Sequence, residues 1–312
     1  MYFSTAGIET SPLLPPLVAL VLSFFTSMGG VSGAFLLLPF QVSVLGFTSP
    51  AVSGTNQLFN VVAIPSGVYR YLREGRMVWP LTWVVIVATL PGVLVGAWLR
   101  IVYLPDPRYF KGFVALVLLY IGVRMVRDLV QRRSGSNVAA ETRFRELIKA
   151  HRARGAKGET LPAVRVHRFS LRRIDYEFYG ERYDFSTLGI FSLSLVVGVV
   201  GGIYGIGGGA IMAPFFVSVF HLPVYTVAGA ALMGTFITSV AGVAFYQAIA
   251  PFYPAQSVAP DWTLGLLFGL GGMVGMYLGA RCQKFIPARM IKWMLSGIIV
   301  FTAGKYLLEF FQ

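Results

Sequence analysis

Two long runs without a charged side chain decide what kind of fold this chain can adopt. No Asp, Glu, Lys or Arg occurs between Ser11 and Tyr69, or between Ser186 and Pro260. Each run is far longer than the roughly 20 residues that cross a bilayer once. The chain is 56% hydrophobic and only 12% charged, which leaves more apolar surface than a water-soluble domain can bury. The sequence therefore predicts an all-α, polytopic integral membrane protein.

A basic polar segment separates the two apolar regions. Between Gln131 and Asp184 there are 13 Lys/Arg residues against 7 Asp/Glu residues. Such a cluster is found in nucleic-acid-binding proteins, but it also follows from the positive-inside bias of cytoplasmic loops. We favour the loop, since the charges flank membrane spans, and expect no nucleic acid. The predicted organisation is a first transmembrane repeat over 11–130, a basic cytoplasmic insert over 131–185, and a second transmembrane repeat over 186–311.

The insert carries weak signs of local structure. Residues 141–150 are typical of a short surface helix, whereas Val164–Phe169 alternates as a β-strand does. A second strand is expected around Gly180. A small cytoplasmic subdomain and a disordered basic linker both remain open at this point.

The two apolar regions are related by an internal repeat. An offset of 175 residues aligns a series of Gly, Pro and Tyr residues, and an offset of 183 aligns a second series farther along. At 175 the pairs are Gly30/Gly205, Gly33/Gly208, Pro39/Pro214, Gly54/Gly229, Gly67/Gly242 and Tyr71/Tyr246; at 183 they are Trp79/Trp262, Gly92/Gly275, Gly96/Gly279 and Ala97/Ala280.

Loop charges predict that the two repeats are inverted. The segment 70–76 is basic and should face the cytoplasm, whereas its counterpart 250–261 has no Lys or Arg and should face outward. Inversion requires an odd number of crossings per repeat, so we expect about five membrane elements in each, or 8–10 transmembrane helices in all, with two broken at glycine-rich turns. The expected elements are 12–28, 33–45, 49–70, 79–101 and 108–130, then 187–203, 209–220, 224–249, 262–280 and 288–311.

A glycine-rich break occurs once in each repeat, over 29–39 and 202–214. Irregular backbone is tolerated at membrane depth only where it lines a cavity, and broken helices form the substrate sites of many transporters. If helices begin near Ala34 and Ala210, their free N–H groups and positive dipole ends could bind one central anion. The alternative is that small residues merely allow close helix packing. The backbone donors predicted for the site are those of Gly30, Ser32, Gly33, Gly205, Gly207 and Gly208.

Polar side chains that follow each break complete the predicted substrate site. Thr55, Asn56 and Gln57 form the densest polar cluster of the first uncharged run, and Thr235 lies in the corresponding region of the second, with Thr238 and Ser239 close by. Amide and hydroxyl donors suit an oxyanion whose charge is spread over several oxygens. The same residue types also form interhelical hydrogen bonds, so this second role stays open.

Other chemistries find no support in the sequence. No nucleotide-binding loop, HExxH, CxxC or Ser-His-Asp arrangement is visible, and Cys282 is the single cysteine. No cluster of titratable groups lies within the apolar runs, as a membrane-embedded enzyme would need. We therefore expect no enzyme activity, no catalytic residues, no cofactor and no metal site.

The duplicated breaks, each followed by a proline, together with Gly54-Thr55, Gly229-Ala230 and the Gly-x-x-x-Gly-Ala motifs at 92–97 and 275–280, resemble the TauE/SafE sulfite exporter family. The resemblance covers about 250 residues in both halves, and its motifs consist mostly of small residues. It implies export of sulfite or organosulfonates such as sulfoacetate. The long basic insert is a departure, since many members of the family lack it.

The sequence thus predicts a secondary transporter that exports a small anion, sulfite or an organosulfonate, by alternating access of two inverted repeats. The alternatives are a passive anion channel and, in third place, a membrane-embedded enzyme or assembly subunit. The expected partners are the anion and the lipid bilayer; a coupling ion (proton or sodium) and homo-oligomerisation are left open. The expected location is the plasma membrane of a bacterial or archaeal cell, with multiple spans.

Overall fold

The computed structural model describes residues 1–28, 31–73, 75, 77–130, 164–178, 181–220, 222, 224–282 and 288–311, and these are mainly helical. The helices before the insert are α1 Leu14–Met28, α2 Ala34–Ser43, α3 Ala51–Arg73, α4 Trp79–Val102 and α5 Pro107–Val130. Those after the insert are α6 Thr187–Tyr204, α7 Met212–Ser218, α8 Val224–Ile249, α9 Trp262–Cys282 and α10 Ala288–Phe311. A 3-10 turn, Ala250–Phe252, ends α8, and a short hairpin of β1 Tyr2–Phe3 and β2 Ile8–Glu9 precedes α1.

These helices follow the predicted elements closely, and the largest difference lies at the second glycine break. The element expected over 209–220 is reduced to Met212–Ser218, so Ala210 lies in a turn rather than at a helix start. The cause is local, because Gly205 and Gly207 adopt φ values of 77° and 80° and take the chain out of helical geometry.

Polar residues fix where two of the long helices begin. The Ser186 side chain accepts a hydrogen bond from the Gly189 N–H at the start of α6. The Asp261 carboxylate likewise accepts from the Leu264 N–H, at 2.9 Å, at the start of α9. Each side chain satisfies a backbone donor that has no partner within the helix.

Within the part of the chain that the structure describes, four helical stretches are long and apolar enough to cross a membrane, namely Trp79–Val102, Thr187–Tyr204, Thr226–Phe252 and Trp262–Cys282. The helices Leu14–Met28 and Ala34–Ser43 are apolar but shorter. Helix α3 is long but more polar than these, and it packs between α8 and α9. Its Asn and Gln side chains are therefore buried among other helices, which is where polar groups are tolerated in a membrane protein.

Helices α3 and α8, which the repeat aligns with each other, cross in antiparallel orientation. A methyl group built on Gly54 would lie 3.2 Å from the Tyr246 ring, and one built on Gly229 would lie 3.2 Å from Tyr71 Cβ. These two contacts are equivalent, because the 175-residue offset aligns Gly54 with Gly229 and Tyr71 with Tyr246. The aligned helices α5 and α10 are also antiparallel, since Gly112 lies against Phe310 and Gly122 against Val300.

The first and fourth helices of each half are exchanged between the halves. Helix α1 packs along α9 and α4 packs along α6, and both pairs run parallel. The Phe24 carbonyl lies 2.2 Å from the position that a Gly279 Cβ would occupy, and the Val199 carbonyl lies 2.2 Å from that of Gly96. The repeat offsets again convert one contact into the other. From this exchange, and from the antiparallel pairs, we infer two inverted repeats.

The helix directions sort the connections onto two ends of the bundle. At one end, the terminal end, the Ala6 N–H donates to Asp261 and the Arg108 guanidinium donates to the Phe310 carbonyl. Both chain termini and the segment 250–261 therefore lie together. The other end, the insert end, carries the end of α3, the start of α8 and the insert.

The described part of the insert is a three-stranded antiparallel sheet of β3 Val164–Phe169, β4 Arg173–Phe178 and β5 Glu181–Ser186, in the order β3-β4-β5. The predicted strand at Val164–Phe169 is thus present. Where one further strand was expected around Gly180, the structure has two, β4 and β5. One face packs on the bundle, because the Tyr176 hydroxyl is hydrogen-bonded to that of Thr226 at 2.8 Å. The helix predicted over 141–150 falls outside the described residues.

Candidate functional site

The first glycine break is closed onto its own helix by Ser32. The Ser32 hydroxyl accepts a hydrogen bond from the Ala34 N–H at 3.2 Å, and the Ser32 carbonyl accepts one from the Phe35 N–H at 3.3 Å. The N–H groups that begin α2 therefore have partners within the break. Neighbouring Gly33 packs tightly, since a Cβ there would lie 2.5 Å from Ser23 Oγ and 3.1 Å from the Phe59 ring.

The second break is a left-handed turn packed on α8. The Gly205 N–H ends α6 by donating to the Gly201 carbonyl at 2.9 Å, and the Gly208 N–H donates to Thr238 Oγ1 at 3.0 Å. A Cβ on Gly207 would lie 2.7 Å from Ser239 Oγ and 2.9 Å from Thr235 Cγ2. Both its positive φ and this close approach require glycine at that position.

Asn56 ties the two breaks together through its side-chain amide. Its Nδ2 donates to the Ala34 carbonyl at 3.1 Å and to the Gly205 carbonyl at 3.0 Å, which belong to different halves of the chain. Its Oδ1 accepts from Gln41 Nε2 at 3.2 Å. The amide thus uses both of its N–H groups inside the protein.

Asn60, one helical turn farther along α3, makes a second link of the same kind. Its Nδ2 donates to the Ile206 carbonyl at 2.9 Å and to Ser239 Oγ at 3.2 Å, while its Oδ1 accepts from Ser32 Oγ. One buried side chain therefore contacts both breaks and α8. Asn60 is not among the residues predicted for the site, although its position four residues after Asn56 places both on one face of a helix.

Gln57 behaves differently from its neighbour Asn56. Its side chain is fully buried, and neither Oε1 nor Nε2 has a hydrogen-bond partner within the described residues. The amide lies against Gly242 in the α3–α8 interface, where a Cβ on that glycine would be 2.5 Å from Gln57 Cδ. Buried amides are nearly always bonded, so this group is a candidate to bind a ligand.

The structure brings most of the predicted site residues together and separates one. Ser32, Asn56, Gly205, Gly207, Gly208 and Thr235 surround the α3–α8 crossing, with Gly33 and Gln57 beside them. Thr55 lies apart, because its hydroxyl donates to the Ala51 carbonyl and accepts from the Asp261 N–H, both at 2.8 Å, toward the terminal end. Gly30 lies outside the described residues.

The chemistry of this crossing is neutral and rich in hydrogen-bond donors. Amides, hydroxyls and backbone groups meet there, and the uncharged runs that form it contain no carboxylate. Among the described residues, no group of three or more His, Cys, Asp and Glu side chains could hold a metal ion. Such a site suits an anion better than a cation, because it offers polarised N–H and O–H groups without a negative charge.

Comparison with known proteins identifies the family to which the chain belongs. The chain is 26% identical over 122 residues to the probable membrane transporter protein YdhB of Bacillus subtilis (strain 168), a stretch that covers 39% of this chain and 46% of that protein. The chain thus spans about half the length of this relative, and no solved structure matches it. The family model for the sulfite exporter TauE/SafE matches residues 16–306. The chain therefore belongs to the TauE/SafE family of multi-pass membrane transporters, as the duplicated glycine breaks indicated.

Proposed function

We propose that this protein is a secondary transporter that exports a small oxyanion, sulfite or an organosulfonate such as sulfoacetate, across the plasma membrane. The observation that carries the proposal is the meeting of the two glycine breaks at the α3–α8 crossing, where Asn60 contacts Ser32 of one break and Ile206 of the other. Broken helices that meet at a repeat interface form the substrate sites of several transporter folds.

The proposed binding site retains the backbone of the breaks at Gly30, Ser32, Gly33, Gly205, Gly207 and Gly208, with Thr235 and Gln57 beside them. Gln57 is its central donor, because its buried amide is free to bind a ligand. Asn56 acts by holding Ala34 and Gly205 in place rather than by binding the anion itself. A side-chain amide that is surrounded by hydroxyl groups can donate hydrogen bonds to oxyanion oxygens, so the centre needs no buried lysine or arginine.

The way the two halves are joined supports a mechanism of alternating access. The hydrogen bonds from Asn56 to Gly205 and from Asn60 to Ile206 connect the first half to the second. A rocking motion of one half against the other about α3 and α8 would break these few hydrogen bonds and form others. The helices that pack through small residues would slide along each other during this motion. We assign the insert end to the cytoplasm, because Arg70 and Arg73 at the end of α3 and the arginine-bearing strands β3, β4 and β5 lie there.

The proposal is tested by flux into proteoliposomes that contain the purified protein. We expect saturable uptake of sulfite and accelerated exchange when unlabelled anion is present on the opposite side, as a carrier gives. Flux that rises linearly with concentration and shows no exchange would indicate the anion channel instead. Absence of flux for sulfite, sulfate, thiosulfate and sulfonates would refute anion transport.

A matched pair of substitutions tests the site. Gln57→Leu should lower sulfite flux at least tenfold, since a hydrogen bond to a charged ligand is worth roughly 1.5–3 kcal/mol. Gln247→Leu makes the same change at an exposed position near the end of α8, where the amide bonds to Trp262, and should leave flux unchanged. Equal flux in the two variants would exclude Gln57 from the site.

A further inference from the structure

A second feature, outside the glycine breaks, is a fully buried arginine. Arg100 lies near the end of α4 at the terminal end of the bundle, and its side chain is 0% exposed. No ion pair within the described residues includes it. Removing an unpaired charge from water is unfavourable by several kcal/mol, so a buried cation of this kind calls for an explanation.

The groups around Arg100 orient the guanidinium without neutralising it. One Nη donates to the Leu104 carbonyl and the other to the Thr48 carbonyl, and the Phe110 ring covers one face at 3.8 Å. These carbonyls and the ring hold the side chain in place, yet they carry no net charge. The Nε group has no hydrogen-bond partner in the described part of the chain.

Two buried hydroxyl groups, those of Tyr246 and Ser53, lie between Arg100 and the glycine breaks. Tyr246 belongs to one buried cluster with Ala97 and Ile101, which flank Arg100 in α4. Its hydroxyl interacts with both Arg100 and the Ser53 side chain. Ser53 in turn touches the second break, since a Cβ on Gly205 would lie 2.5 Å from Ser53 Cβ.

These groups continue the polar face of α3 from the central crossing toward the terminal end. Ser53, Gln57 and Asn60 are spaced at i, i+4 and i+7, which places them along one face of the helix. Facing them on α8 are Ser239 and Tyr246, which are also seven residues apart. These buried polar groups thus form a line that starts at Gln57, passes Ser53 and Tyr246, and ends at Arg100.

The repeat does not reproduce this line on the insert end. The 175-residue offset places Ala228 opposite Ser53 and Leu232 opposite Gln57. The 183-residue offset that aligns the fourth helices places Gln283 opposite Arg100. Packing glycines recur in both halves, and so does the tyrosine, since Tyr71 is the counterpart of Tyr246. Among the described residues, however, the buried cation and the polar side chains of Ser53 and Gln57 have no such counterparts, so packing alone does not account for them.

We propose that Arg100, Tyr246 and Ser53 form a second anion subsite, on the exterior side of the central site, that favours doubly charged oxyanions. This proposal rests on the proposed function and adds the fixed charge that the central site lacks. Coulomb attraction scales with the charge of the ligand, so a dianion such as sulfate or sulfite gains more from the guanidinium than a monoanionic sulfonate does. Named residues thus account for a preference for doubly charged anions and for anion binding on the exterior side.

The experiment compares anion binding by wild-type and variant proteins in detergent, measured as thermal stabilisation against concentrations of sulfate and of methanesulfonate. For Arg100→Gln we expect the apparent affinity for sulfate to fall at least tenfold (1.4 kcal/mol) and that for methanesulfonate to fall less. Arg100→Lys keeps the charge and should retain most of the preference for sulfate. Arg108→Gln removes a charge from an exposed position at the same end and should change neither affinity.

Two conservative variants keep the test decisive if Arg100→Gln does not fold. Tyr246→Phe and Ser53→Ala should each lower the sulfate affinity about threefold or more. A purely structural Arg100 would instead give a lower unfolding temperature with an unchanged sulfate-to-methanesulfonate ratio, and that result overturns the subsite. Unchanged affinities in Tyr246→Phe and Ser53→Ala overturn it too.

The outcome for the subsite is separable from that for the proposed function. Wild-type flux with unaltered anion preference in the variants refutes the subsite alone. Sulfate binding that depends on Arg100, without any flux, supports the subsite and refutes transport. Absence of both binding and flux in the wild-type protein refutes both proposals.

Discussion

Asn56 and Gln57 offer the sharpest test of the site, because they are adjacent buried amides of which only one has hydrogen-bond partners among the described residues. We compare Asn56→Leu with Gln57→Leu, which remove the same functional group from neighbouring positions of α3. Asn56 makes hydrogen bonds to Ala34, Gly205 and Gln41, whereas Gln57 makes none among the described residues. The first substitution should therefore reduce stability, and the second should reduce anion binding.

The expected magnitudes follow from these bonds. A buried hydrogen bond contributes about 0.5–1.5 kcal/mol, and interhelical bonds in membranes average about 0.6 kcal/mol. Losing three of them should lower the free energy of unfolding by about 2–4 kcal/mol. Replacing Gln57 removes a buried amide that has no partner, so stability should stay within about 1 kcal/mol of wild type or rise.

The assay is equilibrium unfolding in mixed detergent micelles without anion, repeated with saturating sulfite. Gln57→Leu should match the wild type without anion and lose the increment that sulfite adds. Asn56→Leu should be less stable in both conditions but keep an increment wherever it remains folded. If Gln57→Leu is destabilised as much as Asn56→Leu, the amide has a structural partner, and its assignment to the site is wrong.

The remaining predictions concern packing and the insert. Gly96→Ala and Gly279→Ala should each destabilise by about 1–3 kcal/mol and by similar amounts, since each new Cβ would lie 2.2 Å from a carbonyl oxygen; Gly297→Ala, with nothing within 4 Å, should be neutral in the same micelle titration, and equal losses in all three would contradict the packing. Burial raises the pKa of Tyr176, so its folded form binds its proton more tightly than the unfolded form. Stability from this group is present below pH 10 and falls as the pH rises above it. Limited proteolysis of the insert between pH 9 and pH 11 should show this loss, and Tyr176→Phe should abolish the pH dependence.

Much of the helical arrangement could be predicted because it depends on local sequence and on packing that recurs. The bounds of α4, α8 and α10 lie within two residues of the predicted elements. Gly92 and Gly275 recur because each allows the same close approach of a first helix to a fourth helix, at Leu195 in one case and Leu20 in the other. A contact that is made twice leaves two similar segments in one sequence, and an alignment of the chain with itself detects them.

The candidate site was only partly predictable, since its roles depend on partners that are distant in sequence. Asn56 and Gln57 carry the same functional group and are adjacent in the sequence. The residues to which Asn56 donates are 22 and 149 positions away, so the local sequence does not predict these contacts. The Ala34 N–H was predicted to be free to bind an anion at the start of a helix. In the structure it donates to the Ser32 hydroxyl instead. Arg100 lies in the last turn of the apolar helix α4, and nothing in the local sequence indicates that its side chain is fully buried.

The contrast between repeated and unrepeated residues links the architecture to the proposed direction of transport. Two inverted halves with identical chemistry would present the same pathway to both sides of the membrane. Here the packing residues are shared, as Gly54 and Gly229 show by meeting Tyr246 and Tyr71 in the same way, so both halves can make equivalent movements. Ser53, Gln57 and Arg100 have no counterparts in the second half, because Ala228, Leu232 and Gln283 occupy the aligned positions. Under the proposed function, the movement of the two halves can therefore be symmetric while anion binding on the two sides of the centre is not.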